Sequence, residues 1–355
     1  MQNNFAETDV VTERRGAAGI IRLNRPKAIN SLTLAMVHEM RAALERFEAD
    51  ADVKCVVLLG EGERGFCAGG DVRQIYSART ASEEERTRFW RDEFPLNYLI
   101  SHYSKPFVAL MDGIVMGGGV GISAHGSHRI VTERTRLAMP ETAIGYFPDV
   151  GATWLLPKAP GEAGTWLGLT GKEIGAADAL YARLANYHVP SQELSKLVDG
   201  LSEVSDEDDV DQVIRHFATA PDEGVLQRNQ ALIDEAFRFD QVEDIIAELE
   251  KRDDDFARES LAFLNMRSPT SMKLTLVMLR KGRDSSGLVE CLEREFAAGC
   301  EILRRHDFYE GVRAALVDKD RNPQWKPASL ADVTESNIAS YLKPTTAPLF
   351  LEHRL

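Results

Sequence analysis

Cysteine is scarce in this chain, and the few cysteines lie far apart. The four are Cys55, Cys67, Cys291 and Cys300, and no two of them form a CxxC pair. This spacing supports neither a disulfide framework nor a cysteine-based zinc site, so we expect a reducing cytoplasm as the compartment. Cys67 falls inside a glycine-rich segment, where we interpret it as a small packed residue and not as a reactive thiol.

Long apolar runs and an excess of positive charge are also missing. No stretch approaches the roughly 18 apolar residues of a membrane span, and residues 1–16 resemble neither a signal peptide nor an amphipathic presequence. The net charge is −14, with 42 Lys and Arg against 56 Asp and Glu. Because nucleic acids and anionic membranes need a positive face, we expect neither as a partner.

Several catalytic signatures are absent. No GxSxG or GxxxxGK[ST] segment occurs, and the glycines of 117–121 fail the GxGxxG spacing because Ile122 stands at the third glycine position. His125 and His128 lack the HExxH frame and a nearby third ligand, so we interpret them as structural or surface histidines and expect no metal. Carboxylates and backbone amides are the catalytic groups that remain.

The first half of the chain alternates short strands with helices. Segments 18–23, 53–59 and 107–112 are short apolar runs that predict strands, and the β-branched residues of 53–59 are typical of a buried strand. A helix is expected from about Thr33, capped by Ser31 or Thr33, because an apolar stripe of helical spacing follows. This order of elements predicts an α/β (α+β) fold.

Helical periodicity dominates beyond residue 190. We interpret the acidic segment 203–211 as a solvated linker or an exposed helix end. A later helix is expected to begin at Ser268-Pro269 and to end at Gly282. For a chain of 355 residues, we expect a core of residues 1–200 and a mostly helical region, 201–355, that packs onto it.

Two carboxylates lie in the apolar segment MPETAIGYFPDVG (139–151). The spacing between Glu141 and Asp149 does not place them on one helix face. Gly145 and Pro148 allow a turn that brings the two acids together over one substrate. Apolar surroundings raise the pKa of a carboxyl group and allow proton exchange near neutral pH. Taken alone, the segment is equally compatible with two acids that cap helices or turns.

Two glycine-rich segments precede this one, GFCAGGD (65–71) and MGGGVG (116–121). Each follows a predicted strand, and the second opens a predicted helix, whose first N–H groups have no intrahelical partner. One N–H group from each segment, pointing at one carbonyl oxygen, makes an oxyanion hole. The alternative is close packing, with glycine required because another backbone passes nearby.

Together with NRPKAINSL (24–32), these three segments resemble the crotonase (enoyl-CoA hydratase/isomerase) superfamily. The resemblance implies a spiral of ββα turns and a helical region that covers the site and often forms trimers or hexamers. It implies an acyl-coenzyme A substrate, no separate cofactor, and an oxyanion hole made by the backbone amides of Ala68 and Gly118. Other residues that we assign to the substrate site by this resemblance are Lys27, Ala28, Gly69 and Gly117.

Gly121 separates this chain from the hydratase branch, which carries a glutamate three residues after the oxyanion-hole glycine. Gly121, the Asp149 of FPDVG and the tail HDFYEGVRAALVDKDRNPQW (306–325) resemble the 3-hydroxyisobutyryl-CoA hydrolase branch. That resemblance implies Glu141 and Asp149 as the catalytic acids and Glu93 as a substrate-binding residue. It predicts hydrolysis of a hydroxyacyl-CoA thioester in valine breakdown.

The residues allow more than one mechanism. Glu141 either activates water or attacks the thioester itself, and Asp149 either orients the water or bonds the substrate 3-hydroxyl. The candidate partners of the coenzyme A phosphates are Arg25, Lys27, Arg64 and Arg73. Two other functions stay open, namely an enoyl-CoA hydratase or isomerase that relies on Glu141 and a non-catalytic acyl-CoA-binding protein.

Overall fold

Two β-sheets form the centre of the fold. The computed structural model describes residues 8–345 and 347–350. The strands in these ranges are β1 Val10–Arg15, β2 Ala18–Leu23, β3 Cys55–Gly60, β4 Gly65–Cys67, β5 Phe107–Met111, β6 Ile114–Met116, β7 His128–Val131, β8 Arg136–Ala138 and β9 Tyr187–His188. The larger sheet has the order β1-β2-β3-β5-β7-β9, and the smaller sheet has the order β4-β6-β8.

Helices surround these sheets and make up most of the second half of the chain. In the described ranges they are α1 Leu34–Ala49, α2 Val72–Ser77, α3 Glu83–Ser101, α4 Gly118–Gly121, α5 Ala152–Leu155, α6 Ala163–Thr170, α7 Ala176–Tyr181, α8 Leu194–Ser202, α9 Asp209–Phe217, α10 Val225–Arg228, α11 Gln230–Phe237, α12 Val242–Glu250, α13 Asp255–Leu264, α14 Pro269–Arg283, α15 Leu288–Ile302, α16 His306–Val312 and α17 Glu335–Tyr341. None of these helices is both long and apolar enough to cross a membrane.

The chain repeats a β-β-α unit. Strand β3 of the larger sheet is followed by β4 of the smaller sheet and by α2 and α3; β5, β6 and α4 repeat this order, and so do β7, β8 and α5. Apart from the antiparallel pair β1 and β2, the described strand pairs are parallel. The predicted α/β fold with ββα turns and a helical second half is confirmed.

The two faces of the larger sheet pack against different parts of the chain. On one face Ile20, Val57 and Val108 contact the apolar sides of α8 and α9, and on the other face Ile21 and Val56 belong to the main core. Such double coverage explains why these parallel strands are apolar throughout. The acidic segment 203–211 is an exposed turn after α8 followed by the first turn of α9. The division at residue 200 stays a prediction, and that residue lies within α8.

Capping side chains set the ends of several helices. The Thr33 hydroxyl accepts the Met36 N–H at 3.3 Å, so Thr33 and not Ser31 caps α1. Ser268 caps α14, and Pro269 is its first residue, as predicted. These side chains satisfy N–H groups that have no partner inside the helix.

Gly282 does not end helix α14, which continues to Arg283. A Cβ atom on Gly282 would overlap the backbone carbonyl of Thr153. The glycine is therefore required for close approach of the helix to the segment after residue 150, and the prediction that it terminates the helix is wrong by one residue.

Candidate active site

The smaller sheet brings the three sequence segments to one edge. Strands β4, β6 and β8 are parallel, with Cys67 opposite Val115 and Met116 opposite Ala138. Each segment extends beyond the carboxyl end of one of these strands, and those ends lie side by side. The first glycine segment contains β4 itself, and the second follows β6, a short strand that the sequence did not predict.

A cavity of about 180 Å³ opens between the three segments. Its lining includes the predicted site residues Ala68, Gly69, Glu93, Gly117, Gly118, Glu141 and Asp149. Apolar side chains supply most of the remaining wall, namely Val72, Ile75, Phe89, Trp90, Tyr146 and Phe308. Lys27 and Ala28 lie outside this cavity, in a short turn that spans Pro26–Ala28.

A turn joins Glu141 and Asp149, as predicted. Glu141 begins a single 3-10 turn, Glu141–Ile144, which ends at Gly145 in the left-handed region with φ +72°. A Cβ atom on Gly145 would overlap the carbonyl of Asp307 in α16, so glycine is required here for packing as well as for conformation. The chain then continues to Asp149 without regular secondary structure, and both carboxylates line the same cavity.

Three buried acids face this cavity without cations. Glu93, Glu141 and Asp149 are 1%, 8% and 6% exposed, and no Lys or Arg of the described residues forms a salt bridge with them. Burial is the main cause that raises each pKa. The neighbouring Asp149 raises the pKa of Glu93 and of Glu141 further. Burial raises the pKa of Asp149 only to about 7, because a hydrogen bond from Trp90 favours the ionised carboxylate and so offsets part of the effect of burial.

Hydrogen bonds distinguish these acids. Asp149 Oδ2 accepts the indole N–H of Trp90 at 2.9 Å. Glu93 Oε1 and Glu141 Oε2 are buried and have no hydrogen-bond partner within the described part of the chain. Since an unpaired buried oxygen is costly, these two atoms are the ones that a bound substrate or water would satisfy.

The glycines at 117 and 118 are required because carboxylates lie against them. A Cβ atom on Gly117 would lie 2.7 Å from Glu141 Oε1, and a Cβ atom on Gly118 would lie 2.6 Å from Glu93 Oε1. Any larger residue would displace an acid from the cavity. Close packing, one of the two alternatives that the sequence left open, is therefore observed at this loop, and a role in catalysis stays a prediction.

Ala68 does not offer a free N–H group, which corrects its assignment to the oxyanion hole. The Ala68 amide donates to the carbonyl of Ile29 at 2.9 Å. The hydrogen bond ties the glycine-rich segment to the segment 24–32. An N–H group already bonded to the protein cannot stabilise charge on a substrate oxygen unless that bond breaks.

Gly70 has an N–H group in a more suitable place. Gly70 pairs with Leu32 in a parallel bridge whose bonds are made by the carbonyl of Gly69 and the N–H of Asp71. The N–H of Gly70 therefore points to the opposite side, and Gly70 lines the cavity. A Cβ atom on Gly118 would lie 3.2 Å from Gly70 N, so the two amides are neighbours.

Gly118 stays a candidate oxyanion donor. It is the first residue of α4, where an N–H group has no intrahelical acceptor, and it lines the cavity. Gly70 and Gly118 together form the pair of candidate oxyanion donors.

Gly121 is packed against Val150. A Cβ atom on Gly121 would lie 2.6 Å from Val150 Cβ and 3.0 Å from Asn97 Nδ2. The volume into which a glutamate at position 121 would project is thus filled by other side chains.

Besides Gly70, the sequence did not single out four other residues in or next to this site. Trp90, Tyr146 and Phe308 form an aromatic wall, with ring centroids 5.8 Å apart for Trp90 and Tyr146 and 5.6 Å apart for Tyr146 and Phe308. Glu295 lies behind the turn of Asp149 and is fully buried. A usable signal existed for two of them: Trp90 precedes Glu93 by one helical turn, and Glu295 is an acid within the apolar stripe of α15.

The predicted phosphate-binding cations divide into two groups. Arg25 forms an ion pair with Asp71 at 3.1 Å, and Arg64 donates to the carbonyls of residues 26 and 27 at 2.8 and 2.6 Å. Both hold the segment 24–32 in place. Lys27 is exposed, and Arg73 is exposed with one bond to the Leu316 carbonyl. Lys27 and Arg73 are therefore the more accessible candidates.

The histidine and cysteine interpretations agree with the structure. His125 Nε2 lies 2.7 Å from the Val150 carbonyl, and burial lowers the pKa of His125 to about 4. His128 stacks on Tyr187 near the surface. Cys67 is buried, and burial raises the pKa of its thiol to about 12, so the thiolate nucleophile is suppressed.

Comparison with known proteins identifies the family. A model of the enoyl-CoA hydratase/isomerase family matches residues 18–342, and the chain belongs to this family. The predicted superfamily is confirmed. The family unites acyl-CoA enzymes, which agrees with a cavity of buried carboxylates and backbone amides.

Within that family the chain is similar over nearly its whole length to 3-hydroxyisobutyryl-CoA hydrolases. The mitochondrial enzyme of Homo sapiens is 40% identical over 95% of this chain and 89% of that protein, and the Gallus gallus enzyme is 41% identical with the same coverage. Two solved structures are also similar to this chain. A carnitinyl-CoA dehydratase from Mycobacterium thermoresistibile has a TM-score of 0.92 and 42% identity, covering 97% of this chain and 99% of that one. An enoyl-CoA hydratase from Rhodobacter sphaeroides has a TM-score of 0.88 and 39% identity, covering 95% and 98%.

Proposed function

We propose that this protein hydrolyses a short hydroxyacyl-CoA thioester, with 3-hydroxyisobutyryl-CoA as the substrate and 3-hydroxyisobutyrate and free coenzyme A as products. One observation carries the choice of hydrolysis over hydration. Glu141 and Asp149 line the cavity together with Glu93, while the position of the hydratase glutamate is Gly121, covered by Val150. The relatives named 3-hydroxyisobutyryl-CoA hydrolase support the acyl group.

The thioester carbonyl is placed against the glycine loops. The amides of Gly70 and Gly118 donate to its oxygen and stabilise the negative charge that develops when the carbonyl carbon becomes tetrahedral. The acyl chain then extends toward the aromatic wall and the three acids. Glu93, whose Oε1 lies beside Gly118, bonds the polar part of the acyl group.

Glu141 has the geometry of the reacting carboxylate. Glu141 lines the cavity, its Oε2 is buried without a hydrogen-bond partner in the described part of the chain, and its raised pKa makes it a stronger base than a solvated glutamate. As a base it takes a proton from water, whose oxygen attacks the carbonyl carbon. As a nucleophile it forms a mixed anhydride that water then opens. In both routes the C–S bond breaks, and the coenzyme A sulfur leaves as a thiol after it gains a proton.

Asp149 completes the site. Its Oδ2 is held by Trp90, which leaves the other carboxylate oxygen for the water or for the 3-hydroxyl group of the substrate. A buried partner for a hydroxyl group discriminates against acyl groups that lack it, by as much as about 10⁴. We therefore expect preference for 3-hydroxyacyl over plain acyl thioesters.

A hydratase acting through Glu141 is the second candidate, because the two solved structures described above are named as a dehydratase and a hydratase. Water addition to an enoyl group needs one proton taken from the water that attacks the β-carbon and one proton delivered to the α-carbon, and the second glutamate of that chemistry is replaced by Gly121. Asp149 would have to supply the missing proton transfer from a different direction.

Thiol release separates the two functions. The protein is incubated with 3-hydroxyisobutyryl-CoA, isobutyryl-CoA and crotonyl-CoA, and free thiol and enoyl absorbance are followed in parallel. Hydrolysis predicts thiol release that is fastest with the 3-hydroxy substrate. Loss of crotonyl-CoA absorbance without thiol release would support the hydratase, and binding of all three without either change would support a non-catalytic binder.

Three further properties stay predictions. The reaction as written needs water and no cofactor beyond the coenzyme A of the substrate. A trimer or hexamer is expected from the superfamily resemblance and is checked by light scattering. The cytoplasmic location came from the cysteines and the N-terminal composition, whereas the curated relatives are mitochondrial by name.

A further inference from the structure

The turn that carries Asp149 has an unusual backbone. Val150 and Gly151 follow Asp149 directly, with φ of +52° and +81°. The left-handed region suits glycine, but it is costly for valine, whose branched Cβ crowds the carbonyl oxygen. Such a conformation persists only when neighbouring groups hold it, so the contacts around residues 149–153 decide where the Asp149 carboxylate points.

Glu295 holds this turn from helix α15. The side chain is fully buried, and its carboxylate accepts three hydrogen bonds: from Gly151 N at 2.7 Å, from Thr153 N at 3.0 Å and from Thr153 Oγ1 at 2.5 Å. Within the described residues no cation pairs with it. A buried carboxylate without a cation is expensive, and these three donors offset part of the cost, while burial still raises the pKa of Glu295 to about 8.

His125 holds the same turn from the other side. Its Nε2 lies 2.7 Å from the Val150 carbonyl, which can only accept, so Nε2 carries the hydrogen. A Cβ atom on Gly151 would lie 2.7 Å from the imidazole ring. The turn is thus enclosed between His125 and Glu295.

We propose that Glu295 and His125 are positioning residues: they fix the backbone of residues 150–153 so that Asp149 stays bonded to Trp90 and faces the cavity. Neither residue lines the cavity or touches its contents. The inference rests on the proposed function for the catalytic role of Asp149. The orientation of Asp149 can be tested separately from that role.

Glu295→Gln tests the proposal with little change of shape. The glutamine amide group turns one acceptor into a donor that faces a backbone N–H, so one of the bonds to Gly151 or Thr153 is lost. A displacement of about 1 Å at a reacting group costs up to about 10²-fold in rate. We expect Glu295→Gln to lower kcat about 10- to 100-fold and to leave KM within about threefold.

A double-mutant cycle with Asp149→Asn separates positioning from general damage. If Glu295 acts through Asp149, the double variant is no slower than Asp149→Asn alone. Glu162→Gln is the matched control, because Glu162 is 9% exposed and bonded to Arg280 and Arg283 outside the cavity. It should lower stability while kcat is unchanged in either background. If Glu295→Gln lowers kcat by the same factor in the Asp149→Asn background as in the unmodified protein, the proposal is wrong.

The indole N–H resonance of Trp90 gives a readout that does not depend on turnover. It reports the bond to Asp149 Oδ2, and the Trp166 indole, which bonds Ser260 Oγ at 2.9 Å, serves as an internal reference. Glu295→Gln should shift the Trp90 resonance and leave that of Trp166 in place, and an unmoved Trp90 resonance contradicts the proposal. If Glu295→Gln does not fold, Thr153→Val removes one donor to the same carboxylate and is judged by the same shift. Absence of thiol release from the unmodified protein would refute the proposed function alone.

Discussion

The Trp90 indole donates a 2.9 Å hydrogen bond to Asp149, and no cation of the described residues joins them. An uncharged donor fixes the direction of the carboxylate but offsets only part of its loss of hydration. The effect of burial is therefore larger than that of the hydrogen bond, and the pKa of Asp149 rises to about 7. The same arrangement accounts for orientation and for reactivity near neutral pH.

Activity should rise with pH through about 7. Asp149 and Glu141 act as carboxylates, and both have raised pKa values, so each is protonated and inactive on the acid side. We expect kcat/KM for thiol release to increase at least about tenfold per pH unit below 7, where Asp149 is protonated. The profile is measured with a thiol reagent that reacts at acid pH, and a flat profile from about pH 5 to 8 would contradict the assignment.

Trp90→Phe should move that profile to higher pH. The hydrogen bond from Trp90 lowers the pKa of Asp149, so its removal lets burial raise the pKa further. Phenylalanine keeps the apolar wall of the cavity. A midpoint displaced upward by about half a unit or more, measured by the pH dependence of kcat/KM, is the expected outcome; a downward shift would show that the bond does not favour the ionised form.

Glu141→Gln should lower kcat by at least about 10², the low end for an acid–base group, while KM changes little. The substitution keeps size and removes the charge and the basic oxygen. Rates of thiol release at several substrate concentrations give kcat and KM. The control is Glu162→Gln, which changes a separate buried hydrogen-bond network and should have the same kcat and KM as the unmodified protein. Undiminished turnover in Glu141→Gln would mean that another group reacts.

Asp149→Asn should be slower but more stable at high pH. The unfolded aspartate ionises near pH 4 and the folded one near 7, so the native protein loses stability as pH rises between these values. Asparagine does not ionise, and one pKa unit is worth about 1.4 kcal/mol. We expect the variant to gain about 1–4 kcal/mol over the unmodified protein at pH 8 and nothing at pH 4. Urea unfolding at both values checks this, and equal stabilities at pH 8 would contradict it.

Much of this architecture was readable from residue patterns. Residues 56–59 are all apolar because a parallel strand is covered on both faces, and Thr33 and Ser268 cap helices because their hydroxyls reach free N–H groups. The meeting of Glu141 and Asp149 was also predicted, since Gly145 permits the required turn.

Other features depend on the direction in which a backbone N–H group or a side chain points, and a residue pattern does not determine this direction. Ala68 and Gly70 are two positions apart, yet their N–H groups point to opposite sides, and only the pairing with Ile29 and Leu32 determines which one faces the cavity. Glu295 is far from Asp149 in sequence, and the packing of α15 behind the turn brings it there. Such long-range placements come from the whole fold.

Gly121 and Val150 should be energetically coupled. Gly121→Ala places a Cβ atom 2.6 Å from Val150 Cβ, and such overpacking costs about 1–3 kcal/mol in unfolding free energy. Val150→Gly removes the obstructing atom and suits a φ of +52°. The double variant should therefore be more stable than Gly121→Ala alone, as measured by urea unfolding. Additive losses would show that Val150 does not block position 121, and the argument against a glutamate there would fail with it.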